Sequence, residues 1–113
     1  MAAAYQLGDV LLVTLSYSSQ RAVKKRPVIA LRDVGDADVL VAPVTSQAGR
    51  VAYDVALADW QQEGLKLPSL VRTEKLATVE KSAIIRVLGK LSVRDRNAMQ
   101  AKLAQVFREI VPF

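Results

Sequence analysis

Aliphatic and β-branched residues come in short runs separated by polar clusters along most of the chain, and only the C-terminal stretch carries a helical repeat. The run Asp9–Ser16 follows a glycine and is dense in residues that suit a pleated, buried surface, which predicts a strand. Pro27–Asp33 predicts a second, with Pro27 at its start, where a missing amide hydrogen does least harm. Asp38–Pro43, Val51–Leu57, Ser69–Glu74 and Ile84–Leu88 predict four more, the Val51 run with partial polar/apolar alternation. Residues 17–25 are polar and basic without a period and read as a loop. Residues 34–37 read as a turn, and Thr45–Gly49 supplies turn formers. Asp59–Glu63 suits a single helical turn ended by Gly64.

Ser92 followed by Asp95 forms a capping box with the shorter Asp in place of Glu, and so marks a helix start. Met99, Leu103, Val106 and Ile110 then recur at helical spacing and predict one apolar stripe. Trp60 and Phe107 read as core anchors. Strands joined by short connections, with one terminal helix and no internal repeat, disfavour a parallel, doubly wound sheet. The expected fold is mainly β with a little α: a small, strongly bent, SH3-like antiparallel β-barrel with a C-terminal helix, in one domain over 1–113.

Composition narrows the chemistry. At 113 residues and 51% hydrophobic content the chain can close a core without covalent staples. It has no Cys and no His, which excludes disulfides and thiolate zinc sites and removes both the commonest metal ligand and the most versatile general base. Carboxylates, Arg, Lys, Tyr and hydroxyls remain, so neither metal nor cofactor is expected. The first residues lack a secretory pattern and no apolar run approaches a membrane span, so a cytoplasmic location is expected. Sixteen Lys and Arg against eleven Asp and Glu give a net charge of +5, which favours encounter with a polyanion.

Arg21, Lys24, Lys25 and Arg26 fall within six positions and can cradle phosphates; the other reading is a solvated loop. Arg72 and Glu74 stand two apart in an expected strand and would leave the same face, base beside cation. Cleavage of a phosphodiester by an RNA 2′-hydroxyl needs that pairing, one group to take the hydroxyl proton and one to stabilise charge on the phosphorus oxygens. A plain same-face ion pair is the alternative. Thr45, Ser46 and Gln47 gather hydroxyl and amide groups where a strand ends, as phosphate or base donors or as ordinary turn formers. Tyr17, in the basic stretch, is a candidate for base stacking.

In order and spacing, Gly8–Val13, Lys25–Leu31, Val41–Gln47, Gly64–Leu65, Val71–Glu74 and Leu88–Ser92 resemble the MazF/PemK toxins of bacterial toxin–antitoxin pairs along nearly the whole chain. The resemblance implies a homodimer that cuts single-stranded RNA without metal, leaving a 2′,3′-cyclic phosphate, and an antitoxin partner with an acidic, partly disordered tail. It matches Arg26 to the family's Arg beside Pro and Thr45 to its catalytic-site Thr. Ser46 matches a substrate-contacting hydroxyl, and Arg72 and Glu74 match the Arg and acidic residue of the Kid-type site, Glu here one methylene longer than Asp. A guanidinium being a poor proton donor, Arg72 is assigned first to charge stabilisation and second to the acid role, with Glu74 the candidate base. The chain departs from the family in its first loop, where Ser18–Lys25 replaces the usual Gly-x-Glu-Gln pattern. A non-catalytic RNA-binding or protein-docking module on the same fold is the alternative.

Overall fold

The computed structural model describes residues 3–17, 22–47 and 52–112. Among these residues seven strands and one α-helix follow in order, with a short 3-10 turn (Lys81–Ala83) between the sixth and seventh strands: β1 (Asp9–Tyr17), β2 (Ala22–Arg32), β3 (Asp38–Thr45), β4 (Asp54–Ala56), β5 (Leu70–Arg72), β6 (Ala77–Glu80), β7 (Ile84–Lys90) and α1 (Val93–Ile110). All pairings are antiparallel, in the order β4-β5-β3-β2-β1-β7, with β6 also on β3. The class is as expected, but the sheet is open. Among the described residues the terminal strands β4 and β7 do not pair; the segment between β4 and β5 instead lays Glu63–Gly64 against Leu88–Gly89 of β7. Register shifts in the β1–β7 and β2–β3 pairs bend the sheet.

The central strands are buried on both faces. Val10, Ile29 and Ala42 belong to one apolar cluster, which also holds Leu57, Leu65 and Met99. Their neighbours Leu11, Val28 and Val41 belong to a second cluster, closed by Val79 of β6. Double burial is why these strands read as continuous apolar runs instead of alternating ones.

Four expectations are corrected. The basic stretch is not all loop: Thr14, Leu15, Ser16 and Tyr17 pair with Lys25, Lys24, Val23 and Ala22, so the β1–β2 ladder continues through residues with no apolar pattern. The turn between them, including Arg21, and the Tyr17 side chain lie outside the described residues, as do 48–51, where the fourth strand was expected to begin. β5 ends at Arg72, and Thr73 and Glu74 lie in a turn, so the strand that would set Arg72 and Glu74 on one face is missing. β6, which sequence reading missed, is short and has one inward residue, Val79. Finally, Ile110 is 66% and Phe107 40% exposed, because the core ends before the last helical turn, whereas Met99 and Val106 are buried and Trp60 packs against the first cluster.

The helix begins where the capping signal put it. Ser92 Oγ accepts from the Asp95 amide at 3.2 Å. The reciprocal half is diverted: the Ser92 amide donates to Glu63 Oε2 at 2.8 Å, while Asp95 turns to other partners.

Candidate functional site

An open groove of about 630 Å³ runs across one end of the sheet. Leu12, Pro27 and Leu88 give it an apolar floor, and Lys25, Arg26 and Arg86 bring cations from β2 and β7. The end of β3, Val44–Gln47, forms a second side, and Gly64–Leu67 of the β4–β5 segment a third. Four cations line it, Lys66 being the fourth, and no carboxylate does among the described residues.

Local structure fixes these groups. Lys25 and Arg26 sit in the β1–β2 ladder opposite Thr14 and Val13, so strand pairing holds their backbone. Arg86 reaches the groove because β7 sets it opposite Leu12 of β1. Thr45 Oγ1 accepts from the Gln47 amide at 3.2 Å, which turns the chain out of β3 and leaves the hydroxyl hydrogen free to donate. Four cations with no carboxylate among the described lining residues favour an anionic ligand, and the groove offers it apolar but not aromatic walls.

The sequence candidates divide. Lys25, Arg26, Thr45, Ser46 and Gln47 converge on the groove, while Lys24 is an exposed β2 neighbour that does not line it. Arg72 and Glu74 do not line it either. Arg72 Nε meets Asp54 Oδ1 at 3.5 Å across the β4–β5 pair. Since Thr45 faces Leu70, Arg72 lies diagonally beyond it on the same strand pair. Glu74 lines a smaller hollow with Tyr53, Val106 and Phe107. There Tyr53 donates its hydroxyl to Glu109, and this bond, with burial and the nearby Glu109 and Glu74 charges, raises the phenol's pKa. Lys66 and Arg86 were missed. Nothing in their local pattern marks them, since tertiary packing alone brings them to the groove.

A second polar assembly lies behind the Gly64–Leu67 wall. Asp95, fully buried, accepts from the amides of Ala58 and Asp59, both at 2.9 Å. Asp59 accepts from Ser92 Oγ at 2.6 Å and from Arg94 Nη2 at 2.7 Å, and Arg94 followed by Ser92 holds its carboxyl below the ordinary range. Carboxylate oxygens of Asp59, Glu63 and Asp95 lie within 4.8 Å of one another, the one such grouping among the described residues.

A bent antiparallel sheet with a terminal helix and a cationic groove at its edge defines a small mainly-β class of domain whose groove suits an anionic ligand. Residues 6–107 match the family described as PemK-like, MazF-like toxin of type II toxin–antitoxin system, and the chain belongs to that family. Solved structures agree in fold. An endoribonuclease in complex with its cognate antitoxin from a mycobacterial species superposes with a TM-score of 0.75 at 19% identity, covering 92% of this chain and 95% of that one. A chain of a MazE–MazF crystal structure from Deinococcus radiodurans gives 0.76 at 15% identity, covering 94% and 97%. The Mycobacterium tuberculosis toxin MazF-mt6 gives 0.71 at 23% identity, covering 88% and 95%. No curated protein matches the sequence. No helix among the described residues is long and apolar enough to cross a membrane.

Proposed function

We propose that this protein is the toxin of a toxin–antitoxin pair, a metal-independent endoribonuclease that binds single-stranded RNA in the groove described above and cleaves it where the strand runs past Thr45 toward Arg72 and Glu74. The observation that carries this reading is the groove's composition: four cations, Thr45, Ser46 and Gln47 around an apolar floor, with no carboxylate among the described residues to repel phosphate. Arg26 holds or neutralises the scissile phosphate and Thr45 orients it by a hydroxyl hydrogen bond. The RNA 2′-oxygen attacks the adjacent phosphorus as the bond to the 5′-oxygen breaks. The hydroxyl proton passes to a base, for which Glu74 is the candidate, and the leaving oxygen takes up a proton. Arg72, always charged, serves charge stabilisation before any acid role.

One observation favours a second reading. Glu74 opens on a different hollow from the groove, so an RNA-binding module that does not cut fits the same groove. Incubating the protein with long single-stranded RNA in EDTA, and mapping product ends, separates the two. Discrete cuts ending in cyclic phosphate, abolished by Glu74→Ala and Arg72→Ala with the fold intact, support the nuclease. Salt-sensitive binding without products supports the module, and binding that ignores salt and RNA competitors points to a protein dock.

As regulation, an antitoxin with an acidic tail covers the same cations, which makes it a competitor of RNA. The protein acts as a homodimer in the cytoplasm, and a monomer by light scattering at micromolar concentration contradicts the dimer.

A further inference from the structure

The groove wall Gly64–Leu67 belongs to no helix or strand, so its position depends on what anchors the segment that carries it. Two anchors are visible. The Glu63–Gly64 backbone lies directly on the backbone of Leu88–Gly89 in β7. The second is the carboxylate assembly at the start of α1, where Asp95 grips the amides of Ala58 and Asp59 and the Ser92 amide grips Glu63.

Within that assembly one atom is unaccounted for. Glu63 is 1% exposed, one oxygen accepts from Ser92, and the other, Oε1, has no partner among the described residues. An unpaired carboxylate oxygen away from water is costly, more so beside two further carboxyls. The cation that reaches this assembly is Arg94, and it is spent on Asp59. A proton on the Glu63 carboxyl resolves both problems, because it removes the unpaired charge and Asp95, whose carboxylate lies within 4.8 Å, is the neighbouring group that would accept it. A metal ion does so less well. The charge of Asp59 is already answered by Arg94 and that of Asp95 by two backbone amides, so the three carboxylates supply at most a few of the six or more ligands a hard divalent cation takes, with a guanidinium standing against it.

We propose that Glu63 is a positioning residue that fixes the groove wall through a proton shared with Asp95, and that loss of this proton loosens Gly64–Leu67 and weakens the groove's hold on its ligand. This rests on the groove being the ligand site. When the proton leaves for solvent, two carboxylates face each other. The groups around Glu63 are then Asp95 and Ser92 at the start of α1, Arg94 beyond Asp59, Asp59 on its own segment, and the Gly89 backbone of β7. Burial, with Asp95 alongside and the Ser92 amide opposing, pushes the Glu63 carboxyl up to about 7, so release falls near neutral pH. The absence of His leaves that range almost clear of competing side chains.

Trp60, the single Trp, sits on the same segment and reports on it without any ligand. Its emission, followed from pH 5 to 9, is expected to show a transition with a midpoint near 7 in wild-type protein and none in Glu63→Gln. Amide exchange of residues 64–67 in wild-type protein, corrected for the intrinsic effect of pH, gives the same answer if the variant fails to fold. Affinity for a single-stranded oligonucleotide is expected to fall by at least about threefold between pH 6 and 8.5 in wild type, and by clearly less in Glu63→Gln. Flat wild-type emission and exchange overturn the proposal, as does a transition that persists in Glu63→Gln. So does restoration of the low-pH emission at pH 8.5 by millimolar Ca²⁺ or Mg²⁺ at matched ionic strength, which assigns the site to a cation. A Trp60 transition in protein that binds no oligonucleotide at any pH supports the latch and refutes the reading of the groove.

Discussion

Replacing Gly64 by Ala tests how the groove wall is seated. Gly64 has φ +90°, and a Cβ built there falls 2.3 Å from the Leu88 carbonyl oxygen and 2.8 Å from its carbon. Left-handed backbone costs Ala about 1–2 kcal/mol. Relieving an overlap with backbone, which has no rotamer to change, costs about 1–3 kcal/mol more. The expected destabilisation is therefore about 2–5 kcal/mol, a large share of a small domain's stability. Gly89→Ala is the control, because it probes the same contact from the other side. Its Cβ falls 2.5 Å from the Glu63 carbonyl oxygen but without positive φ, so only the overlap counts, the unfolded-chain entropy lost on replacing Gly being common to both variants. Gly64→Ala should then cost more than Gly89→Ala by the backbone term, about 1–2 kcal/mol, and the double variant less than the sum, since either substitution already parts the two backbones. Urea unfolding followed by Trp60 fluorescence and far-ultraviolet dichroism measures all three, with coincident curves as the check on two-state behaviour. A Gly64→Ala cost below about 0.5 kcal/mol, or one equal to that of Gly89→Ala, refutes the reasoning.

Three further outcomes are expected. Stability should fall as pH rises from 4.5 to about 7, because folded Glu63 keeps a proton that the unfolded chain has released. The shift sets a ceiling of about 3 kcal/mol, which water reaching the Asp59 side of the assembly reduces to about 1–2 kcal/mol. Denaturation at pH 5 and 8 should show this slope in wild type and a flatter one in Glu63→Gln, and equal slopes would remove Glu63 as its source. Met99→Ala empties a fully buried position under α1 and should cost about 2–5 kcal/mol by calorimetry, and a loss under 1 kcal/mol would mean the helix is not seated there. Binding of uncleavable single-stranded RNA should fall with salt at a log–log slope near −3, about −0.7 for each of four groove cations, and Arg26→Ala should flatten it by about 0.7. An unchanged slope would place Arg26 off the binding path.

Patterns that act over a few residues are legible in the chain itself. Ser92 and Asp95 mark the helix start, Met99 and Val106 its buried stripe, and Gly64 the end of a helical turn. Each of these depends on neighbours within one turn of chain. The apolar runs of β1, β2 and β3 are equally clear, because burial on both faces removes the polar positions that would confuse them. Half of the groove is also visible, as Lys25–Pro27 and Thr45–Gln47, which lie in continuous stretches.

Tertiary structure decided the rest. Residues 22–25 are strand because β1 offers a partner ladder, and cross-strand hydrogen bonds reward any sequence that the register permits. Arg72 and Glu74 part company because β5 stops at Arg72 and turns. Lys66 and Arg86 join Arg26 only through the packing of a loop on β7 and of β7 on β1, contacts made across dozens of residues. Glu63 is by sequence only the last residue of the Asp59–Glu63 turn; packing against Ser92 and Asp95 buries its carboxyl, and that burial raises the carboxyl's pKa. The order of residues dictates which groups are present and how each short segment bends; desolvation and proximity belong to the folded whole.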